Sequence, residues 1–175
     1  NLKSEQFKLS LTVAGNLTVL SNGTITAPGK GYLPPYGPGA PVVPGEYIGA
    51  AHGGTGYNNP SFNPGGAFTL NTYGSIVSPT NVGSAGRGPG AGGGAILISV
   101  AGTTTVAVAG SMVANGSPAQ KGGGSGGSVR LTTGWLAGGG TISANGADYY
   151  SGGGRVAIVL TAGDFTAWTG RHTAY

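Results

Sequence analysis

Very few side chains of this chain could carry out catalysis. Its acids are Glu5, Glu46, Asp148 and Asp164, its histidines are His52 and His172, and cysteine is absent. Glycoside hydrolysis needs two carboxylates facing one bond, and calcium-assisted cleavage of an acidic polysaccharide needs a cluster of acids. Here Glu5 precedes the first alternating segment, Glu46 sits in a Pro-rich stretch, Asp148 follows Ala144-Asn145-Gly146, and Asp164 lies near the last residues. None recurs at a fixed place in a repeat, so stacking repeats cannot gather them. The two histidines are far apart in sequence near expected loops, and both read as surface residues. No Gly-x-Ser-x-Gly elbow comes with an acid and a base, and Ser125 belongs to the glycine spacer Gly124-Ser125-Gly126. Without cysteine there is no thiolate metal site or disulfide framework. The chain is expected to be no enzyme and to hold no cofactor and no metal.

Binding chemistry is better represented. Residues 28–64 contain eight of the eleven prolines and four of the eight tyrosines, Tyr32, Tyr36, Tyr47 and Tyr57. Proline stiffens a loop, and tyrosine offers a flat apolar ring with a hydrogen-bonding end. These tyrosines are candidate contacts for a partner subunit or a glycan; the competing expectation is a loop folded back to cover a face or end of the fold. A second set lies at the two ends of the sequence: Phe7, Leu9, Leu11 and Val13, then Phe165, Trp168 and Tyr175. They are candidate subunit contacts, because terminal strands with open edges pair with another chain unless capped. Net charge is +4 with basic residues dispersed, Lys3 and Lys8 being the one close pair; nucleic-acid binding needs clustered Lys and Arg and is not expected. No run of about 18 apolar residues is present, so no membrane-spanning helix is expected. The sequence starts at Asn1 rather than Met, which reads as a mature or excised chain that has lost any export signal.

These residues are carried by a repeat. One string runs Gly23-Thr24-Ile25-Thr26-Ala27-Pro28, then Gly74-Ser75-Ile76-Val77-Ser78-Pro79, Gly110-Ser111-Met112-Val113-Ala114-Asn115 and Gly140-Thr141-Ile142-Ser143-Ala144-Asn145. A second opens on glycines and alternates, as in Gly65-Gly66-Ala67-Phe68-Thr69-Leu70, Gly93-Gly94-Ala95-Ile96-Leu97-Ile98, Gly126-Gly127-Ser128-Val129-Arg130-Leu131 and Gly153-Gly154-Arg155-Val156-Ala157-Ile158. Side chains alternate across a strand. Inner rows therefore read Leu9/Leu11/Val13, Phe68/Leu70, Ile96/Ile98/Val100, Val129/Leu131 and Val156/Ile158/Leu160. The first string adds Ile25/Ala27, Ile76/Ser78, Met112/Ala114 and Ile142/Ala144.

Glycine takes 39 of 175 positions while hydrophobic residues make up 38%, so the glycines are expected in corners and close backbone approaches rather than in a disordered linker. The expected fold is all-β, a single β-solenoid domain over 1–175 with four to five coils, glycine-rich return loops and a Pro/Tyr/Gly-rich insertion at 28–64. An antiparallel β-sandwich is the alternative. The strings at Gly110–Leu131 and Gly140–Leu160 resemble repeats of large secreted glycine-rich bacterial surface proteins. That resemblance implies extracellular β-helical structure without catalytic residues. The expected function is thus a secreted, microbial, non-enzymatic subunit of an extracellular filament or surface layer, partnered by itself and assembling head to tail through its ends or a terminal strand. The alternative is an adhesin or carbohydrate-binding module using the Tyr/Pro insertion against a glycan or cell-surface component. A weaker third reading is ice binding by outward Thr24/Thr26, Ser75/Val77, Ser111/Val113 and Thr141/Ser143.

Overall fold

The computed structural model describes residues 7–41, 48–57, 71–120, 122–147 and 150–175. Nine strands form among the described residues: β1 Lys8–Val13, β2 Leu17–Val19, β3 Thr24–Thr26, β4 Ala95–Val106, β5 Ser111–Val113, β6 Ser128–Ala137, β7 Thr141–Ser143, β8 Arg155–Leu160 and β9 Arg171–Thr173. They make two sheets, one ordered β1-β4-β6-β8 with β2 also paired to β4, the other β3-β5-β7-β9. Every pairing is parallel, and no helix occurs among the described residues.

This corrects both fold expectations. The uniform parallel pairing overturns the antiparallel sandwich. Two parallel sheets stand in place of the β-solenoid of four to five coils, and the copy of the first string at 74–79 adds no strand. The string at Gly74–Pro79 is not extended: the Ser78 N–H donates to Ser75 Oγ at 3.0 Å, a local turn that competes with strand pairing. Gly74 has a left-handed backbone, and Ile76, expected inside, is 76% exposed. Phe68 and Leu70 lie outside the described residues. β1 therefore pairs directly with β4, and β3 with β5. Between β3 and β4 the described residues 27–41, 48–57 and 71–94 add no strand to either sheet, so the interruption reaches past the insertion expected at 28–64.

The remaining inner-row residues belong to the core or pack on it, except Leu9, which is exposed. Register aligns Leu9, Ile96, Val129 and Val156 in one row, and Leu11, Ile98, Leu131 and Ile158 in the next. Ile25, Met112, Ile142 and His172 align in the second sheet. Both sheets share one apolar core that includes Ile96, Leu131, Leu136, Met112 and Ile142. Parallel sheets need their apolar faces covered, and here each covers the other. A register shift between Val100 and Thr103 of β4 interrupts the first sheet. Thr104 and Thr133 are buried there and bonded to each other at 3.0 Å, which satisfies the hydroxyls at the irregularity.

The glycine-rich segments form a second body held by backbone. Gly31 donates to Gly92 O, Gly83 to Gly93 O, Gly93 to Ser125 O, Gly126 to Gly152 O, and Gly53 to Gly153 O, at 2.6 to 3.1 Å. A methyl group at Gly127 would overlap the main chain of Gly93 and Gly94, and one at Gly126 would overlap Ala144 O. These chains approach too closely for any Cβ.

Candidate functional site

The two sheets list their strands in chain order. β1, β2 and β3 therefore form one edge of the molecule, and β8 and β9 form the other. At the first edge Phe7 and Leu9 are exposed, while Leu11, Val13, Leu17 and Ile25 are half-buried against the core. Position in the row decides exposure: Leu9 is 43% exposed, whereas Ile96 and Val129 in the same row are 0%. A shallow groove of about 360 Å³ lies here, lined by Phe7, Lys8, Leu9, Ala27 and Lys30.

The opposite edge presents Val156, Ile158 and Leu160, half-buried against the same core. A hollow of about 280 Å³ sits beside it, with Gly53, Gly54, Gly154, Val156 and Ala174 in its walls. This edge is not bare along its whole length, as the sequence suggested. Residues 161–170 fold across the end of β6: Thr161 N donates to Thr133 O, Gly163 N to Gly134 O and Thr169 N to Gly138 O, each at 2.9 Å. Trp168 forms a bridge with Gly138 and packs on the core. Phe165 and Tyr175 are exposed. Asp164 accepts from the Thr166 hydroxyl at 2.6 Å and from the Thr166 N–H at 2.9 Å. Those two bonds, the hydroxyl first, hold its carboxyl below the usual aspartate range.

The candidate tyrosines do not form one surface. Tyr32 and Tyr36 are half-buried, and their backbones are woven into the glycine body by Tyr32 N to Gly83 O and Ala85 N to Tyr36 O, both 3.0 Å. Tyr57 is exposed and lies 5.7 Å from Tyr150, ring centroid to centroid. Tyr47 lies outside the described residues, as do Lys3, Glu5, Glu46 and Asp148. Of the segment 28–64, the described residues 28–41 and 48–57 bond by backbone to the glycine segments, as in Gly31 N to Gly92 O and Ala50 N to Gly123 O.

One polar cluster was missed in the sequence. His52, expected at the surface, is fully buried, its Nδ1 2.7 Å from Gly126 O and its ring stacked on Tyr73 at 4.5 Å. The Tyr73 hydroxyl donates to Val82 O at 2.7 Å and lies 2.8 Å from Ser84 Oγ, which also accepts from Gly39 N at 2.9 Å. Ser84 N donates to Ser125 Oγ, and Arg155 Nε to Tyr73 O, both at 2.9 Å. Ser84, Ser125 and His52 are closed to solvent, so the cluster pins glycine segments together rather than presenting a nucleophile. Its flanks, Ala50-Ala51 and Gly53-Gly54, carry no sequence signal that would mark a buried histidine. Among the described residues no group of three or more His, Asp or Glu side chains could hold a metal ion, and no helix is long and apolar enough to cross a membrane.

The threonine ladder is short, and Ser143, expected outward, is buried. Thr24, Ser111, Thr141 and Arg171 align in one row, and Thr26, Val113, Ser143 and Thr173 in the other. Ser75 and Val77 lie outside it. Comparison with known proteins finds no matching family model, no matching curated protein and no matching solved structure.

Proposed function

We propose that this chain is a non-enzymatic, secreted structural protein, a subunit of a microbial extracellular filament or surface layer that grows head to tail. One observation carries the reading: the core rows that are sealed inside the molecule continue to both edges and stop there half-open, with Leu9 at 43% exposure where Val129 is at 0%. An open parallel edge backed by an apolar row is a template for another strand. Two such edges at opposite ends of one chain make a heterologous contact, which propagates instead of closing. Low charge, 7% of residues, leaves little electrostatic deterrent to association. No reaction is proposed.

The test is a charge placed in the first-edge row. A Leu9→Lys, Leu11→Lys variant should keep its melting transition within a few degrees and stay monomeric by sedimentation, where the unmodified chain forms polymers. Polymers that persist in the variant contradict the reading. An adhesin is the second reading, favoured by the exposed Tyr57 beside Tyr150. It predicts a monomer whose glycan binding is lost in Tyr57→Ala. Ice binding is the weakest reading, since Arg171 and Val113 interrupt the two hydroxyl rows.

A further inference from the structure

Tyrosine has a covalent chemistry besides contact. Loss of one electron and one proton leaves a phenoxyl radical whose spin lies partly on the ring carbons ortho to oxygen, and two such rings held together couple. Tyr57 and Tyr150 are held together. Their ring centroids are 5.7 Å apart and their planes are inclined by 32°. The backbone fixes that approach: Tyr57 N donates to Tyr150 O at 2.6 Å, Gly152 N to Ala50 O at 2.8 Å and Gly53 N to Gly153 O at 2.8 Å. Residues 49–57 and 150–154 thus run side by side, and glycine lets them do so. A Cβ at Gly49 would overlap the Tyr150 carbonyl, and one at Gly152 the Gly54 carbonyl.

Access and proximity meet at this pair. Tyr57 is 48% exposed, so a dissolved oxidant reaches its ring, and the ring has room to turn about its side-chain bonds. Tyr150 is half-buried against it. Other described tyrosines lack one condition or the other. Tyr73 stacks on His52 and donates to Val82 O, and Tyr32 and Tyr36 are half-buried in the glycine body. Tyr175 is 75% exposed, which makes it the control for exposure alone.

We infer that Tyr57 and Tyr150 are an oxidative cross-linking site, joined ortho carbon to ortho carbon within one molecule by a peroxidase-type oxidant that consumes hydrogen peroxide. Each phenol hydroxyl gives up one electron and one proton. A carbon–carbon bond forms between the two ortho carbons, and the hydrogen on each of those carbons moves to its own ring's oxygen, which restores both phenols. The chain loses two hydrogen atoms in all, and hydrogen peroxide takes them up to become two waters. The chain has no cysteine, so no disulfide can serve here. The bridge closes the loop from 57 to 150 and removes conformational freedom from the unfolded chain. It stands just before β8 and ties down Gly53 and Gly54, which wall the hollow at the second edge. Both rings belong to one copy, so the site is independent of the polymer reading.

The test treats the purified chain, at submicromolar concentration, with a peroxidase and hydrogen peroxide, then separates it under denaturing conditions. The band at single-chain size should carry dityrosine fluorescence and a mass lower by two hydrogen atoms. Trypsin should release from it one linked species that joins residues 31–87 to residues 131–155. Tyr57→Phe and Tyr150→Phe should each abolish the signal in that band, because phenylalanine keeps the ring and has no hydroxyl to oxidise. Tyr149→Phe should leave it, as should Tyr175→Phe, which removes a more exposed phenol. The linked chain should melt several degrees higher than the untreated one; an unchanged transition overturns the tether. A single-chain band without fluorescence, fluorescence confined to multimers, or a signal that persists in Tyr57→Phe overturns the site.

Discussion

Interior and edge positions of one row are built from the same kinds of residue and are used differently. In the row Leu9, Ile96, Val129, Val156, the two central side chains are fully buried between neighbouring strands, while Leu9 is exposed and Val156 half-buried. In the adjacent row the contrast is sharper, with glycine at three interior or far-edge positions and Phe7 at the near edge. The interior tolerates no side chain there because backbone fills the space; the edge carries a large one, and among the described residues no strand pairs with β1 on its far side. Interior positions thus bear on stability, and edge positions bear on it much less.

The largest effect expected from that contrast is at Gly127. Gly127→Ala forces a Cβ into the Gly93–Gly94 main chain, backbone that cannot rotate away. The loss should be about 4 kcal/mol or more, seen as a collapsed or absent thermal transition, whereas Phe7→Gly in the same row should melt like the unmodified chain. Equal melting of the two variants would break the comparison.

Next in size is a pair of leucines in one row. Leu131→Ala removes a fully buried side chain and should cost about 2–5 kcal/mol. Leu11→Ala, half-buried at the edge, should cost about 1 kcal/mol or less by area. Urea titration measures both, with the midpoint shift the larger for Leu131→Ala.

A smaller effect sharpens the picture of the second edge, where Trp168 covers part of the core. Its indole Nε1 is buried with no hydrogen-bond partner, a cost of about 1–3 kcal/mol for a donor taken from water. Trp168→Phe keeps an aromatic ring on the core and deletes the donor. Stability should stay within about 1 kcal/mol of the unmodified chain, the two changes offsetting, while Trp168→Ala should lose at least about 2 kcal/mol. Equal losses in both would show that the indole is held by something other than ring packing.

Much of the strand body was legible in the sequence, because burial in a strand writes a period of two into the side chains. Leu9/Leu11/Val13, Ile96/Ile98/Val100, Met112/Ala114 and Ile142/Ala144 were assigned inward on that period, and all but the exposed Leu9 belong to or pack on the shared core. The failures have a common cause. Ser75-Ile76-Val77 has the right residue types, but a local Ser75 turn and left-handed Gly74 take it out of the sheet, and the string alone does not reveal which of two local structures wins. The expected run of coils is replaced by two parallel sheets, with β3 and β4 far apart in sequence and no strand at 74–79 between them. The glycine body was legible only as composition. Its cohesion comes from backbone bonds such as Gly93 N to Ser125 O, which no side chain encodes, and His52 disappears into it without a pattern. Phe7 was marked at the sequence level as an edge residue, but its equivalence to Gly154 depends on strand register across three pairings.

The central claim is that the two edges are cohesive for each other, and negative-stain electron microscopy of the purified chain at neutral pH and micromolar concentration tests it most directly. Unbranched fibres one molecule wide, shortening on dilution, are the result this account predicts. A field of compact single particles at every concentration would contradict it and turn attention to Tyr57 and Tyr150 as a glycan contact.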